Sequence, residues 1–337
     1  MKLAVTGGAG FIGSAFVRHW IKNHPEDQLI NIDKLTYAGN LENLKEVEKN
    51  QNYSFSKADI ADPKLMLQTL KGVDTLVNFA AESHVDRSIT DPNPFIETNI
   101  KGTAVLLKAA KENGVSKIIH FSTDEVFGAL DLDSKEKFNE DTPHNPKSPY
   151  AASKAAAEDI ARSYASTYEI PLIILNVSNN YGPFHFPEKL IPLAITNAIE
   201  DKEIPVYGDG LYVREWTFVD DTALAVETVI EKGRAGQTYL FGTEEELPNI
   251  EVLKKILRIL NKPESLLKTV KDRPGHDRRY ALDSTKVRKE LGWSHKYDFD
   301  KGLELTVEWF KNNVDWWKRV KNGAYQDYYK QQYEVKS

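Results

Sequence analysis

The sequence predicts an α/β fold: a Rossmann-type, doubly wound parallel sheet with a smaller mixed α/β C-terminal lobe. Three observations carry this reading. Short apolar runs alternate with amphipathic stretches through the first half of the chain, a glycine-rich turn follows the first run, and prolines break up the alternation after Val177. Near-continuous apolar strands separated by helices imply crossover units and a parallel sheet covered on both faces.

Taken in order, Lys2–Thr6, Gln28–Asp33, Tyr53–Lys57, 75–79, Lys117–Thr123 and Leu172–Val177 have the length and apolar or aromatic content of strands. Helical patterns fill most of the intervals, among them 100–113 and 150–167. Residues 1–177 therefore form the first expected domain. Beyond it Pro183, Pro187, Pro192 and Pro205 punctuate loops and short helices, and a second lobe is expected over 178–313. Two strand-like segments, 214–219 and Thr238–Phe241, could still return to the main sheet. Residues 314–337 are expected to form a tail, aromatic yet charged, with Trp316, Trp317, Tyr325, Tyr328, Tyr329 and Tyr333.

Composition narrows the partners. The 337 residues carry 44 Lys+Arg against 50 Asp+Glu, a net charge of −6, with no basic block. Coating a polyanion needs clustered cations, so a nucleic-acid polymer is not an expected partner. There are no cysteines, which excludes a disulfide framework, thiolate metal sites and a Cys nucleophile. Redox chemistry must borrow a cofactor. No apolar run approaches the roughly 20 residues of a membrane helix, and the apolar stretch near the start ends at Val5, too short for a signal peptide. A cytoplasmic chain without a membrane partner is expected, and no feature calls for a metal.

The turn Gly7-Gly8-Ala9-Gly10-Phe11-Ile12-Gly13 lies between the first strand and a helix. Gly7 permits the tight turn, Gly10 lets backbone approach a pyrophosphate, and Gly13 allows close helix packing, while the helix N-terminus offers free N–H groups. Asp33 ends the second strand about 20 residues beyond Gly13, where a carboxylate accepts the ribose hydroxyls and repels a 2′-phosphate. NAD is preferred over NADP, although Lys34 beside it weakens that discrimination. Asp59 and Ile60 either hold the adenine or are a loop acid next to a core side chain.

Tyr150 and Lys154 are four apart on a predicted helix, hence on one face and about 6 Å apart along its axis. A phenol serving as base near neutrality needs its anion stabilised by about 4 kcal/mol. A cation about 4 Å away supplies roughly that before solvation losses. Lys154 is thus sufficient in principle, with NAD⁺ adding positive charge.

The glycine turn together with Tyr150 and Lys154 resembles the extended short-chain dehydrogenase/reductase superfamily. Ser122-Thr123-Asp124-Glu125-Val126-Phe127-Gly128 is similar to the signature of its nucleotide-sugar 4,6-dehydratases, above all those acting on dTDP-glucose. The likeness extends through Ala80–Asp86, Asn176–Pro183 and Asp272–Tyr280, although Phe127 stands where relatives often carry Tyr. It implies that Tyr150 takes the C4 hydroxyl proton as C4 is oxidised by NAD⁺, and that Thr123 hydrogen-bonds the C4 oxygen. Glu125 then removes the C5 proton, Asp124 protonates the departing C6 hydroxyl, and reduction at C6 regenerates the cofactor. An acid and a base side by side need environments that push their proton affinities apart. Successive strand residues face opposite sides, so both acids reach one sugar only if the backbone leaves strand geometry after Thr123.

The same likeness places Phe11, Ile12, Ala80, Ala81, Ser83, Thr98 and Asn180 within the cofactor's reach. It places Asn179, Lys189, Arg214, Asn249, Arg273 and His276 around the diphosphate and nucleoside, with Leu190, Pro205 and Tyr207 at the base. His84 either contacts the hexose or caps the turn after the fourth strand. The substrate implied is dTDP-glucose, with UDP-glucose the alternative. A homodimer is implied by helices 100–113 and 150–167, which relatives pair into an intersubunit bundle. Rival readings are a 4-epimerase or uronate decarboxylase, disfavoured by Asp124 with Glu125, and a non-catalytic NAD sensor, disfavoured by Tyr150 with Lys154.

Overall fold

The computed structural model describes residues 1–321. Six strands appear where the sequence places them: β1 (Lys2–Thr6), β2 (Gln28–Asp33), β3 (Tyr53–Lys57), β4 (Thr75–Asn78), β5 (Lys117–Thr123) and β6 (Leu172–Val177). Between them run α1 (Phe11–Asn23), α2 (Pro63–Thr69), α3 (Val85–Thr90), the single turn α4 (Asn93–Phe95), α5 (Thr103–Glu112) and α6 (Pro149–Tyr168). Local chemistry sets the ends of these helices. Asp62 caps α2 by accepting from the Lys64 and Leu65 N–H groups, with Pro63 at the first helical position. Ser148 caps α6 by accepting from Ala151 N–H, again followed by proline.

The second half supplies β7 (Asn179–Tyr181), β8 (Ile204–Tyr207), β9 (Val213–Phe218), β10 (Thr238–Phe241), β11 (Glu246–Pro248) and β12 (Leu267–Val270). Its helices are α7 (Leu190–Ile199), α8 (Val219–Lys232), α9 (Asn249–Leu260), α10 (Thr285–Leu291), α11 (Phe299–Asn312) and α12 (Val314–Val320). The main sheet runs β10-β6-β5-β4-β1-β2-β3 and every pair in it is parallel. Strand order reverses at β1, so the carboxyl ends of β1 and β4 flank a crevice at the topological switch point.

The two strand-like segments of the second half part company. β10 joins the main sheet beside β6, whereas β9 pairs with β7 and β11 in a separate three-stranded sheet. β9 is drawn away because Trp216 and Phe218 pack with Tyr181, Phe299, Leu303 and Val307 in a second core. The helix expected from position 100 also differs. Its start lies inside a π-helical segment, Ile96–Gly102, and regular α geometry begins only at Thr103. In that segment Asn99 donates to the Glu82 carbonyl (3.0 Å) and to Ser153 Oγ (2.8 Å), and accepts from Glu82 N–H (2.8 Å). At the C-terminal end 314–320 is helical and buries Trp316 and Trp317; the tyrosines from 325 onward lie outside the described residues.

Candidate active site

A cavity of about 400 Å³ opens at the switch point, between the carboxyl ends of the main sheet and the second lobe. That is a volume suited to a small-molecule site. All the candidate site residues named from the sequence line it, with one exception, Asp124.

The glycine turn forms one end. Gly7 adopts φ +70°, and a Cβ there would lie 2.7 Å from the Ala80 nitrogen; a Cβ on Gly13 would overlap the Gly7 carbonyl oxygen. Gly10 begins α1, whose first N–H groups have no intrahelical acceptor. Asp33 is held by two backbone donors, Ala9 N–H to Oδ2 (2.9 Å) and Leu35 N–H to Oδ1 (2.8 Å). Lys34 is tied to Asp59, with 2.6 Å between Nζ and Oδ2, so its charge is already partnered. Ile60 is buried against Gly102, where a Cβ would stand 2.7 Å from its side chain. A cradle that only glycine fits, a helix N-terminus and a fixed carboxylate at the second strand suit a dinucleotide with an unmodified ribose.

At the other end β5 stays extended through Thr123 (φ −139°, ψ 153°), and a 3₁₀ turn, Asp124–Phe127, follows directly. The backbone thus leaves strand geometry at the position the two acids require. Thr123 Oγ1 accepts from Glu125 N–H (3.3 Å) and donates to Asp124 Oδ1 (3.2 Å). Glu125 reaches the cavity, but Asp124 lies behind the wall, 1% exposed, with Oδ2 lacking a hydrogen-bond partner. Burial, then the charges of Glu125 and Glu215, push the Asp124 carboxyl well above the ordinary range. Burial also raises Glu125, yet the cations Arg273, Lys189 and Arg214 oppose it.

Tyr150 and Lys154 are both buried in the wall on α6. Burial, then the nearby Glu125 charge, raises the Tyr150 phenol, while a hydrogen bond with Thr123 opposes them. Lys154 does not offset this as its spacing predicts. Its ammonium donates instead to the Phe121 carbonyl (2.7 Å), and burial lowers it to about 8.

Around the second lobe, Lys189 Nζ donates to the Ser83 carbonyl (2.8 Å), and Arg214 donates to the Asp277 carbonyl (2.8 Å) while lying over the Tyr280 ring. His276 stacks on Tyr212 at 3.5 Å, and burial lowers its pKa to about 3. Asn179 Oδ1, Asn249 Oδ1 and Arg273 Nε are buried without hydrogen-bond partners, which is costly unless something entering the cavity meets them. His84 caps α3, accepting from Arg87 N–H at 3.4 Å, and it also lines the cavity.

Sequence reasoning passed over three wall residues. Asp86 accepts from Tyr207 Oη (3.1 Å) and from Arg273 (3.4 Å); Glu188 accepts from Tyr37 Oη (3.0 Å) and Arg87 (3.2 Å); His185 stacks on Phe11 at 4.1 Å. Asp86 sat inside a quoted motif and Glu188 beside Lys189, but each acts through a partner distant in sequence.

Residues 4–306 match the family model described as GDP-mannose 4,6 dehydratase. A dTDP-glucose 4,6-dehydratase of Escherichia coli is 48% identical, with 96% of this chain and 98% of the relative covered. The chain belongs to the 4,6-dehydratase family. Among solved members, the dTDP-glucose 4,6-dehydratase DesIV of Streptomyces venezuelae, with NAD and dTDP bound, superposes at a TM-score of 0.93. The two are 46% identical, over 95% of this chain and 100% of that one. The dehydratase of Bacillus anthracis, in complex with NAD, gives 0.89 at 44% identity, over 95% of this chain and 100% of that one. A UDP-glucose 4-epimerase of Thermotoga maritima shares the fold at 0.85 but only 31% identity, over 93% of this chain and 100% of that one. Among the described residues of this 4,6-dehydratase family member, no helix is long and apolar enough to cross a membrane.

Proposed function

We propose that this chain is an NAD-dependent dTDP-glucose 4,6-dehydratase, a hydro-lyase that forms dTDP-4-keto-6-deoxyglucose. The observation that carries the reading is the junction at Thr123. Strand geometry ends there, so Thr123, Glu125 and Tyr150 face one cavity whose far end is the glycine cradle. Full-length relatives and solved neighbours bearing the dTDP-glucose name support the substrate.

NAD, when bound, supplies the oxidation at C4 and the matching reduction at C6. The chain's own residues handle protons and position. Tyr150 accepts the proton of the C4 hydroxyl; its phenol, raised by burial in this wall, becomes a base once positive charge lies beside it. Thr123 steadies the C4 oxygen. The resulting ketone acidifies C5–H, whose proton Glu125 removes and returns to C5 as C6 is reduced, its carboxylate favoured by Arg273, Lys189 and Arg214. Asp124, kept neutral by burial, is assigned as the proton source for the C6 hydroxyl; its Oδ1 accepts from Thr123, which lines the cavity. Asn179, Asn249 and Arg273 offer their buried polar atoms to the nucleotide, and His276 and Tyr207 close around it.

The same reading extends to a cytoplasmic homodimer built on α5 and α6 that feeds deoxysugar biosynthesis; sedimentation of the purified protein tests the dimer. The decisive experiment incubates the protein with dTDP-glucose and UDP-glucose separately. Formation of the 4-keto-6-deoxy product from dTDP-glucose is expected, and a C4 epimer as sole product rejects the assignment.

A further inference from the structure

Glu158 is 0% exposed, one helical turn beyond Lys154 on α6, and the mechanism above gives it no task. It is surrounded by donors. Asn176 Nδ2 donates to its Oε1 at 2.7 Å, Arg162 to its Oε2 at 3.2 Å, and His144 Nε2 lies 3.2 Å from the same Oε2. Asn176, itself fully buried on β6, also donates to the Thr123 carbonyl at 3.0 Å. Lys154 meanwhile donates to the carbonyl of Phe121, two residues before Thr123. These bonds close a circuit from Lys154 to β5, across to Asn176 on β6, into Glu158 and back along one turn of α6. A buried carboxylate is costly unless it is paired and hydrogen-bonded, so its place here demands a return.

We propose that Glu158 is a positioning residue for the Tyr150/Lys154 pair, locking α6 to the end of β5 and supplying the counter-charge that keeps Lys154 cationic. This rests on the activity proposed above only for its kinetic consequence. The charged and titratable groups around the circuit are His144 and Asp159 on its open side, Arg162 on α6, His120 on β5, and Tyr150 with Glu125 at the cavity. Burial would raise Glu158, but the hydrogen bond from His144 and the neighbouring positive charges hold it below the ordinary carboxylate range. Burial pulls Lys154 down to about 8, with Glu158 acting in the opposite direction.

Glu158→Gln keeps an acceptor for Asn176 and removes the charge. In the full-length variant the Lys154 side-chain ¹³Cε resonance should titrate about one pH unit or more below its position in the unsubstituted protein. The alkaline limb of kcat should move the same way, with KM for dTDP-glucose little changed. An unmoved Lys154 titration in folded Glu158→Gln overturns the proposal, whether or not the protein dehydrates sugars. A rise in KM alone, with kcat and the alkaline limb intact, overturns it as well. A second measurement needs no substitution: the Glu158 ¹³Cδ resonance of the unsubstituted protein should report an ionised carboxylate at neutral pH. A neutral Glu158 there overturns the proposal even if the variant fails to fold.

Discussion

Asp124 and Glu125 are adjacent in sequence and keep different company. Asp124 faces two other carboxylates from a dry position, whereas Glu125 faces Arg273, Lys189 and Arg214 across the cavity. Their proton affinities are set apart by these neighbours, which is what an acid and a base at one sugar need. Glu125→Gln should therefore still oxidise C4 of dTDP-glucose, with reduced cofactor accumulating while the 4-keto-6-deoxy product falls by about 10²-fold or more. Stopped-flow absorbance read beside product analysis checks this; undiminished elimination moves the C5 base elsewhere. Tyr150→Phe should slow the first oxidation by roughly 10²–10⁴-fold, because it removes the general base assigned to the C4 hydroxyl. At this scale the sequence was readable where a motif has fixed spacing, as in Tyr150 with Lys154. It was silent about Lys154 Nζ turning to the Phe121 carbonyl, since that choice depends on burial and on a strand 33 residues away.

Between the secondary-structure elements, the site is made by interruptions rather than by regular geometry. The 3₁₀ turn after β5 brings Glu125 to the cavity, and the glycine turn after β1 brings backbone within reach of a pyrophosphate. Gly13→Ala places a methyl group against the Gly7 carbonyl, backbone that cannot rotate away. Overpacking of this kind costs about 1–3 kcal/mol, and NAD⁺ affinity, measured by calorimetry, should fall at least about tenfold as the cradle opens. The six strands through Val177 were legible because most are short apolar runs, and Tyr53–Lys57 alternates aromatic with polar residues. The π-helical segment Ile96–Gly102 was not, because its hydrogen bonds run from Asn99 to Glu82 and Ser153, and pattern along one helix carries no record of such partners. The destination of β9 was equally hidden: its apolar content fits either sheet, and only the second core, around Tyr181 and Phe299, decides.

For the molecule as a whole, buried imidazoles oppose folding in acid. His120 is 1% exposed on β5, accepts a contact from Asn78 through Nδ1 (3.2 Å), and is held neutral by burial down to about pH 3. In the unfolded chain it takes up a proton below about 6.5. Between those values the unfolded state binds more protons, so stability is complete above about pH 6.5 and is lost as pH falls. The loss from this group approaches about 1.4 kcal/mol per pH unit; His84 and His185, also buried and lowered, act with the same sign. Glu215, raised to about 7 by burial, acts with the opposite sign over this range, so the difference between variants is read: in urea unfolding between pH 6.5 and 5, His120→Asn should lose less stability per pH unit than the unsubstituted protein. An identical slope in that variant assigns the acid sensitivity to the other groups.

The last described helix has a reach out of proportion to its length. Trp316 donates to Asn43 (3.1 Å), and Asn43 donates to the carbonyl of Ala9 within the glycine turn (3.1 Å), so residues far apart in sequence brace one another. Trp316→Phe keeps the ring and removes the bond, and should cost about 1 kcal/mol, read as a lower urea midpoint. During synthesis the amino-terminal lobe emerges from the ribosome long before position 316 does. The bond from Trp316 to Asn43 therefore joins the support of the cradle only after position 316 has left the ribosome, later than the strands and turn it braces.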